Sequence, residues 1–132
     1  MGCWLKLLGK AEWKIPDAWT HERPELLRYI RFGGDQPPTE ITAGDRLVYY
    51  AIGWERFFAV AEVISDRSYE PKVTHEWEAQ WPWAVDVRVL KKKLRLSEAP
   101  SVLALGPTPD RRHQGHVPLT DDQLQQAETA LA

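Results

Sequence analysis

The sequence predicts a small α+β fold, a mixed β-sheet curled into a partial barrel with helices at its rim. Three observations predict it. Short runs of β-branched, aromatic and small apolar residues recur between Gly- and Pro-marked turns. The last segment alone carries a complete helix signature. At 132 residues the chain suits one domain, expected to span 1–132, which can bury a core without disulfide staples.

Each element has its own local reason. Cys3 to Leu8 is apolar except for Lys6 and is bounded by Gly9-Lys10, which predicts a buried strand. Pro24 suits the first turn of a helix, because its missing N–H has no helical partner there. Leu26, Leu27, Tyr29 and Ile30 then fall broadly on one helical face, Gly33-Gly34 can end it, and Pro37-Pro38 forbids resumption. Gly44-Asp45 marks a turn before RLVYYAI, Gly53 breaks the run, and RFFAVAEVI follows, so an antiparallel hairpin is expected around Gly53-Trp54. Ser65 to Pro82, with its acidic-aromatic run HEWEAQWPW, is expected to be a long functional excursion.

From Trp83 the alternation is clean. Trp83, Val85, Val87 and Val89 point one way, and Asp86 and Arg88 the other, as in a half-buried strand. SVLAL reads as one helical turn and GPTPDRRHQGH as loop. PLTDDQLQQAETALA closes the chain as a helix. Thr120 and Gln123 form a capping box, Asp121 and Asp122 complement the helix dipole, and Leu124, Ala127 and Leu131 make the apolar stripe.

Composition excludes several classes. The formal net charge is -2, so bulk positive charge does not grip nucleic acid here, although a local basic groove remains open. A single cysteine, Cys3, permits no internal disulfide and no cysteine zinc site. The N-terminal apolar run is too short and interrupted for a signal h-region, Lys6 stands where myristoylation wants Ser or Thr, and no run approaches a bilayer span. A soluble, cytoplasmic protein with no membrane partner is expected. His113 and His116 have an HxxH spacing with no nearby carboxylate or cysteine to complete a metal site, and no phosphate-binding glycine loop or nucleophile elbow is present, so no metal and no cofactor are expected.

The ordered set of segments resembles a known family. A Trp-bearing first strand (CWLKLL) precedes a helical insert, and Gly44-Asp45 leads into Leu47-Val48-Tyr49-Tyr50. FFAVAEVISDRSY follows, Trp-Pro-Trp precedes the next strand, and HQGHVPLT opens the final helix. Together, from Trp4 to Leu131, these resemble the EVE domain of the PUA-like superfamily, related to YTH and ASCH domains. The resemblance implies a small mixed β-barrel of about five or six strands with flanking helices. It also implies a non-enzymatic binding module for DNA or RNA that holds a modified base in an aromatic pocket. Related sequences commonly carry Ser before the His of the late motif; here Gly115 precedes His116.

A flipped base needs a flat apolar slot and a few hydrogen bonds at its edge. The seven Trp supply candidates for the slot, although Trp in a small domain most often simply buries area. Trp83 is expected in the core, and Trp4 in the core or on a pocket floor. Trp19, Trp54, Trp77 and Trp81 carry the binding expectation, the last two because they lie in a loop excursion. Lys6, Gln80 and Gln114 could read base edges, while the resemblance adds Tyr50 of the tyrosine strand and His116 of the late motif. Lys92 and Lys93, with Arg111 and Arg112, are the expected phosphate contacts, though such runs are often only solvated faces. Two other readings stay open. One is an ASCH-like enzyme acting on a nucleoside-like substrate, with Lys6, Glu62 and Thr74 converging in one pocket. The other is a protein-interaction patch built on Trp77 to Trp83. The oligomeric state is not legible.

Overall fold

The computed structural model describes residues 2–10, 13–72, 76–105 and 115–132, the side chains of Trp77 and Ala79 excepted. Six strands form one sheet: β1 (Cys3–Leu8), β2 (Tyr29–Phe32), β3 (Arg46–Ala51), β4 (Arg56–Val63), β5 (Trp83–Lys92) and β6 (His116–Pro118). Their order across the sheet is β2-β5-β4-β3-β1-β6. β1 pairs parallel with β3, and every other pairing is antiparallel. The expected hairpin is the β3–β4 pair, turned through Gly53 at φ +90°. The register slips between Tyr49 and Tyr50, and again between Val60 and Ala61. Such bulges bend a sheet and raise its twist, and here they curl it into a half-barrel.

Two apolar clusters occupy the two faces. Inside the curl lie Leu47, Tyr49, Phe58, Ala61, Val85 and Val87, together with Trp19 and Ile30. On the outer face Leu5, Val48, Tyr50, Phe57 and Val60 pack under α2 (Asp121–Ala130). The period-2 alternation of β1 and β3 sends successive residues to opposite clusters. α2 has the predicted capping box, with both Thr120 and Gln123 bonds present, and buries Leu124 and Ala127. SVLAL becomes a 3-10 turn, Val102–Leu105.

The helix expected after Pro24 is corrected. Pro24–Leu27 is a single 3-10 turn, and Tyr29–Phe32 is β2, antiparallel to β5. The run YIRF fits either period. Pairing with β5 settles the choice, because as a strand it buries Ile30 and Phe32 and leaves Tyr29 and Arg31 half-buried. Gly33-Gly34 is therefore a strand exit, not a helix stop, with Gly34 at φ +101°. A short helix the sequence did not announce, α1 (Trp19–Glu22), precedes that turn. Likewise His116, expected in a loop, and Pro118, expected with the closing helical segment, belong with Val117 to strand β6 on the edge of β1. Trp83 is half-buried against the core rather than within it.

Candidate functional site

The two edge strands approach each other through side chains. The His116 ring of β6 lies 5.3 Å from the Phe32 ring of β2 and 5.4 Å from Trp4 of β1, edge-on to both. Its Nε2 meets Glu40 Oε1 at 2.6 Å, and that bond holds the Glu40 carboxyl below its ordinary range. The Trp4 indole N–H donates to Asp45 at 3.2 Å. Asp45 also accepts from the Gly2 and Thr42 N–H groups at 2.8 and 3.0 Å. Burial pulls the Asp45 carboxyl up, but these donors outweigh it and hold it below the usual range.

Beside this seam opens a cleft of about 680 Å³. One wall is the end of β1 and the following turn, from Lys6 to Lys10 and Trp13. A second is the Glu22–Leu26 segment, and the rest comes from Tyr29, Arg31, Glu78 and Trp81. The volume lies within the roughly 300–1,000 Å³ usual for small-ligand sites. Lys10 Nζ stands between two indoles, 5.5 Å from the Trp13 centroid and 5.2 Å from the Trp81 centroid, within cation–π range. Trp13 is 64% exposed.

The Trp81 wall is anchored to β2. Arg31 pairs with Glu78 at 2.6 Å, with both side chains nearly buried, and donates to the Trp81 carbonyl at 3.0 Å. Gly33 allows the close fit, since a Cβ there would stand 3.2 Å from Trp81 Cδ1. Four cations and three carboxylates line the cleft, so its surplus is one positive charge. Arg23–Glu25 and Arg31–Glu78 are ion-paired within it.

Lys6 is the distinctive group. It is 4% exposed. Its ammonium donates to the Leu7 and Gly115 carbonyls at 3.2 and 3.3 Å and lies 4.8 Å from the Phe32 centroid. Among the described residues no carboxylate pairs with it, and burial pushes it down to about 8.

Of the expected site residues, the cleft brings together Lys6 and Trp81. Trp4 and His116 form the adjoining seam. Trp19 is corrected to a core residue: it is fully buried, and its indole N–H donates to the Lys93 carbonyl at 2.8 Å. Tyr50 is likewise corrected, because it is buried under α2 on the opposite face. Trp54 lies half-buried at the hairpin, its indole N–H bonded to the Ile15 carbonyl at 2.8 Å, away from the cleft. Lys92 and Lys93 do not line the cleft either. Gln114, Arg111, Arg112 and the Trp77 side chain lie outside the described residues.

Of the alternative enzyme set, Glu62 pairs with Arg46 and Arg88 and does not line the cleft with Lys6, and Thr74 lies outside the described residues. In the segment Trp77 to Trp83, the described side chains form no exposed apolar patch, because Glu78 is buried and Trp81 and Trp83 are half-buried. Among the described residues no group of three His, Cys, Asp or Glu could hold a metal ion, and no helix is long and apolar enough to cross a membrane. Lys10, Trp13, Tyr29 and Arg31 were not anticipated. The alternation in YIRF was the available signal for Tyr29 and Arg31, whereas nothing local marks Lys10 and Trp13.

No protein-family model and no curated protein matches the chain. Solved structures do. Rpa0253 from Rhodopseudomonas palustris superposes with a TM-score of 0.61 at 16% identity, covering 99% of this chain and 93% of that one. The YTH domain of Mmi1, solved in complex with RNA, gives 0.60 at 12% identity, covering 98% and 77%. Human THYN1, solved in complex with 5-methylcytosine-containing DNA, gives 0.54 at 12% identity, covering 95% and 94%. At these identities the likeness is one of architecture, and the chain therefore has the PUA-like fold that it shares with the YTH domain and THYN1.

Proposed function

We propose that this protein is a non-enzymatic nucleic-acid-binding domain that holds one extruded, modified base in the cleft beside Trp81. The observation that carries this reading is an aromatic, cation-lined cleft on a fold whose solved likenesses include complexes with RNA and with methylated DNA. Trp81, Trp13 and Tyr29 offer π-faces, and stacking on such rings contributes roughly 1–3 kcal/mol per base. Lys10 can leave its place between the indoles for a phosphate while a ring takes that place. With the near balance of charge in the cleft, binding energy comes from base contacts more than from bulk attraction.

Trp fluorescence titration tests this reading, with single-stranded oligonucleotides carrying one unmodified or methylated base at the centre. One modified strand is expected to bind more tightly than its unmodified parent. Trp81→Ala is expected to weaken that binding by about fivefold to a hundredfold, with unchanged thermal unfolding. Equal affinity for every strand, or an unaffected Trp81→Ala variant, sinks the reading.

A further inference from the structure

We propose that Lys6 reads the ligand at the inner end of this cleft, and that the bound base is one that turns a carbonyl oxygen to its ammonium. The inference rests on the base-holding reading and names the class of base. An ammonium carries three donors. Among the described residues two are spent on the Leu7 and Gly115 carbonyls, at the long distances of 3.2 and 3.3 Å, which leaves a third for a group in the cleft that Lys6 lines. Such a cation, 4% exposed and with no carboxylate partner among the described residues, is costly to the fold. An apolar residue would fill the strand position more cheaply, and a ligand oxygen gives the charge its missing acceptor through a charge-assisted hydrogen bond.

The surroundings decide which oxygen. Leu26, buried and apolar, lines the cleft with Lys6, and the buried Phe32 ring packs against the Lys6 ammonium from behind, so the surroundings favour the edge of a base over a hydrated phosphate. Guanine presents O6 and cytosine and thymine present O2, whereas adenine carries an amino donor and no carbonyl. Gly115 keeps the site open. A Cβ there would stand 3.7 Å from Lys6 Nζ, and a serine hydroxyl one bond further would take the third N–H for itself.

The test uses the full chain and short oligoadenylates, hosts whose bases carry no carbonyl, with one central nucleotide replaced. Two pairs isolate the oxygen: guanine against 2-aminopurine, which lacks the 6-oxo group, and 5-methylcytosine against its 3-methyl-2-aminopyridine C-nucleoside analogue, which lacks the 2-oxo group. An abasic centre completes the set. The wild type is expected to prefer the oxo member of at least one pair by roughly tenfold or more. Lys6→Met is expected to bring that preference to within about twofold, as is Gly115→Ser, which serves if Lys6→Met does not fold. The absence of a gap in both pairs overturns the Lys6 assignment, as does a gap that survives in the folded variants. Base-dependent binding with no oxo preference leaves the base-holding reading standing and removes only this one. An abasic strand that binds as tightly as all the others removes both.

Discussion

Lys6 and Asp45 show how differently two buried charges can be held. Asp45 is 3% exposed and surrounded by donors. Lys6 is as buried but, among the described residues, meets only two carbonyls and a ring face. The first stabilises the fold and the second costs it. In the fold Lys6 titrates at about 8, against an ordinary 10.5. Below pH 8 folded and unfolded chains both carry the proton, and the full penalty applies. Between those values the fold has shed the proton while the unfolded chain has not, so wild-type stability from this group rises with pH, on the order of 1 kcal/mol per pH unit. Lys6→Met is therefore expected to unfold at higher urea than wild type at pH 7, with the difference narrowing by pH 9.5. A constant difference across that range contradicts the burial of the charge. Asp45 has the opposite sign. Its carboxyl is held below the ordinary value, so its contribution is present above about pH 4 and is lost as pH falls through the lower folded value. Asp45→Asn is expected to lose roughly 1–3 kcal/mol at pH 7 and to approach wild type in acid. Urea melts at pH 7 and pH 3 check both halves.

At the scale of elements, the cleft depends on a short helical segment, Glu76–Gln80, tied to β2. Arg31 joins Glu78 and the Trp81 carbonyl to the sheet, and the Trp81 N–H closes the turn on the Glu78 carbonyl at 2.9 Å. Removing one partner of a buried ion pair costs roughly 3–5 kcal/mol, because the other charge is left unpaired. Glu78→Gln keeps the shape and removes the charge. It is expected to speed hydrogen exchange at the Trp81 amide while leaving the β3 and β4 amides unchanged, and to weaken oligonucleotide binding. Exchange that rises uniformly, or not at all, contradicts this role for the pair. Gly33 belongs to the same joint, since any side chain there meets Trp81.

At the scale of the molecule, the half-barrel leaves β2 and β6 at the two edges of the sheet, and rings rather than backbone bonds bring those edges together. That seam and the cleft share Lys6, so barrel closure and the proposed binding site meet at one side chain. On the proposed reading, the total charge of -2 and the paired cations of the cleft set how binding to nucleic acid would depend on salt. Each phosphate contact on a single strand contributes about -0.7 to the slope of log affinity against log salt. Two or three contacts give a slope of about -1.5 to -2. A slope steeper than about -5 in a salt titration points instead to an extended phosphate track.

The sequence by itself determined the parts that follow from short-range rules. The capping box of Thr120 and Gln123, the Gly53 hairpin and the alternation from Trp83 depend on residues close in the chain, and each forms as its pattern dictates. YIRF was ambiguous because four residues satisfy either period, and only pairing with β5 chose the strand. Among the candidate residues, Lys6 and Trp81 were legible because a lone cation in an apolar strand and a Trp in a loop excursion are both conspicuous. What the sequence left open is the depth of each side chain. Trp19 was lost to the core because its indole finds the Lys93 carbonyl across 74 positions of the chain. Trp13 and Lys10 gained the cleft because Trp81, anchored through β2, comes to rest beside them. Burial and juxtaposition are sums over contacts between distant segments, and no local pattern encodes them; only the tertiary structure decided which tryptophans became core and which became walls.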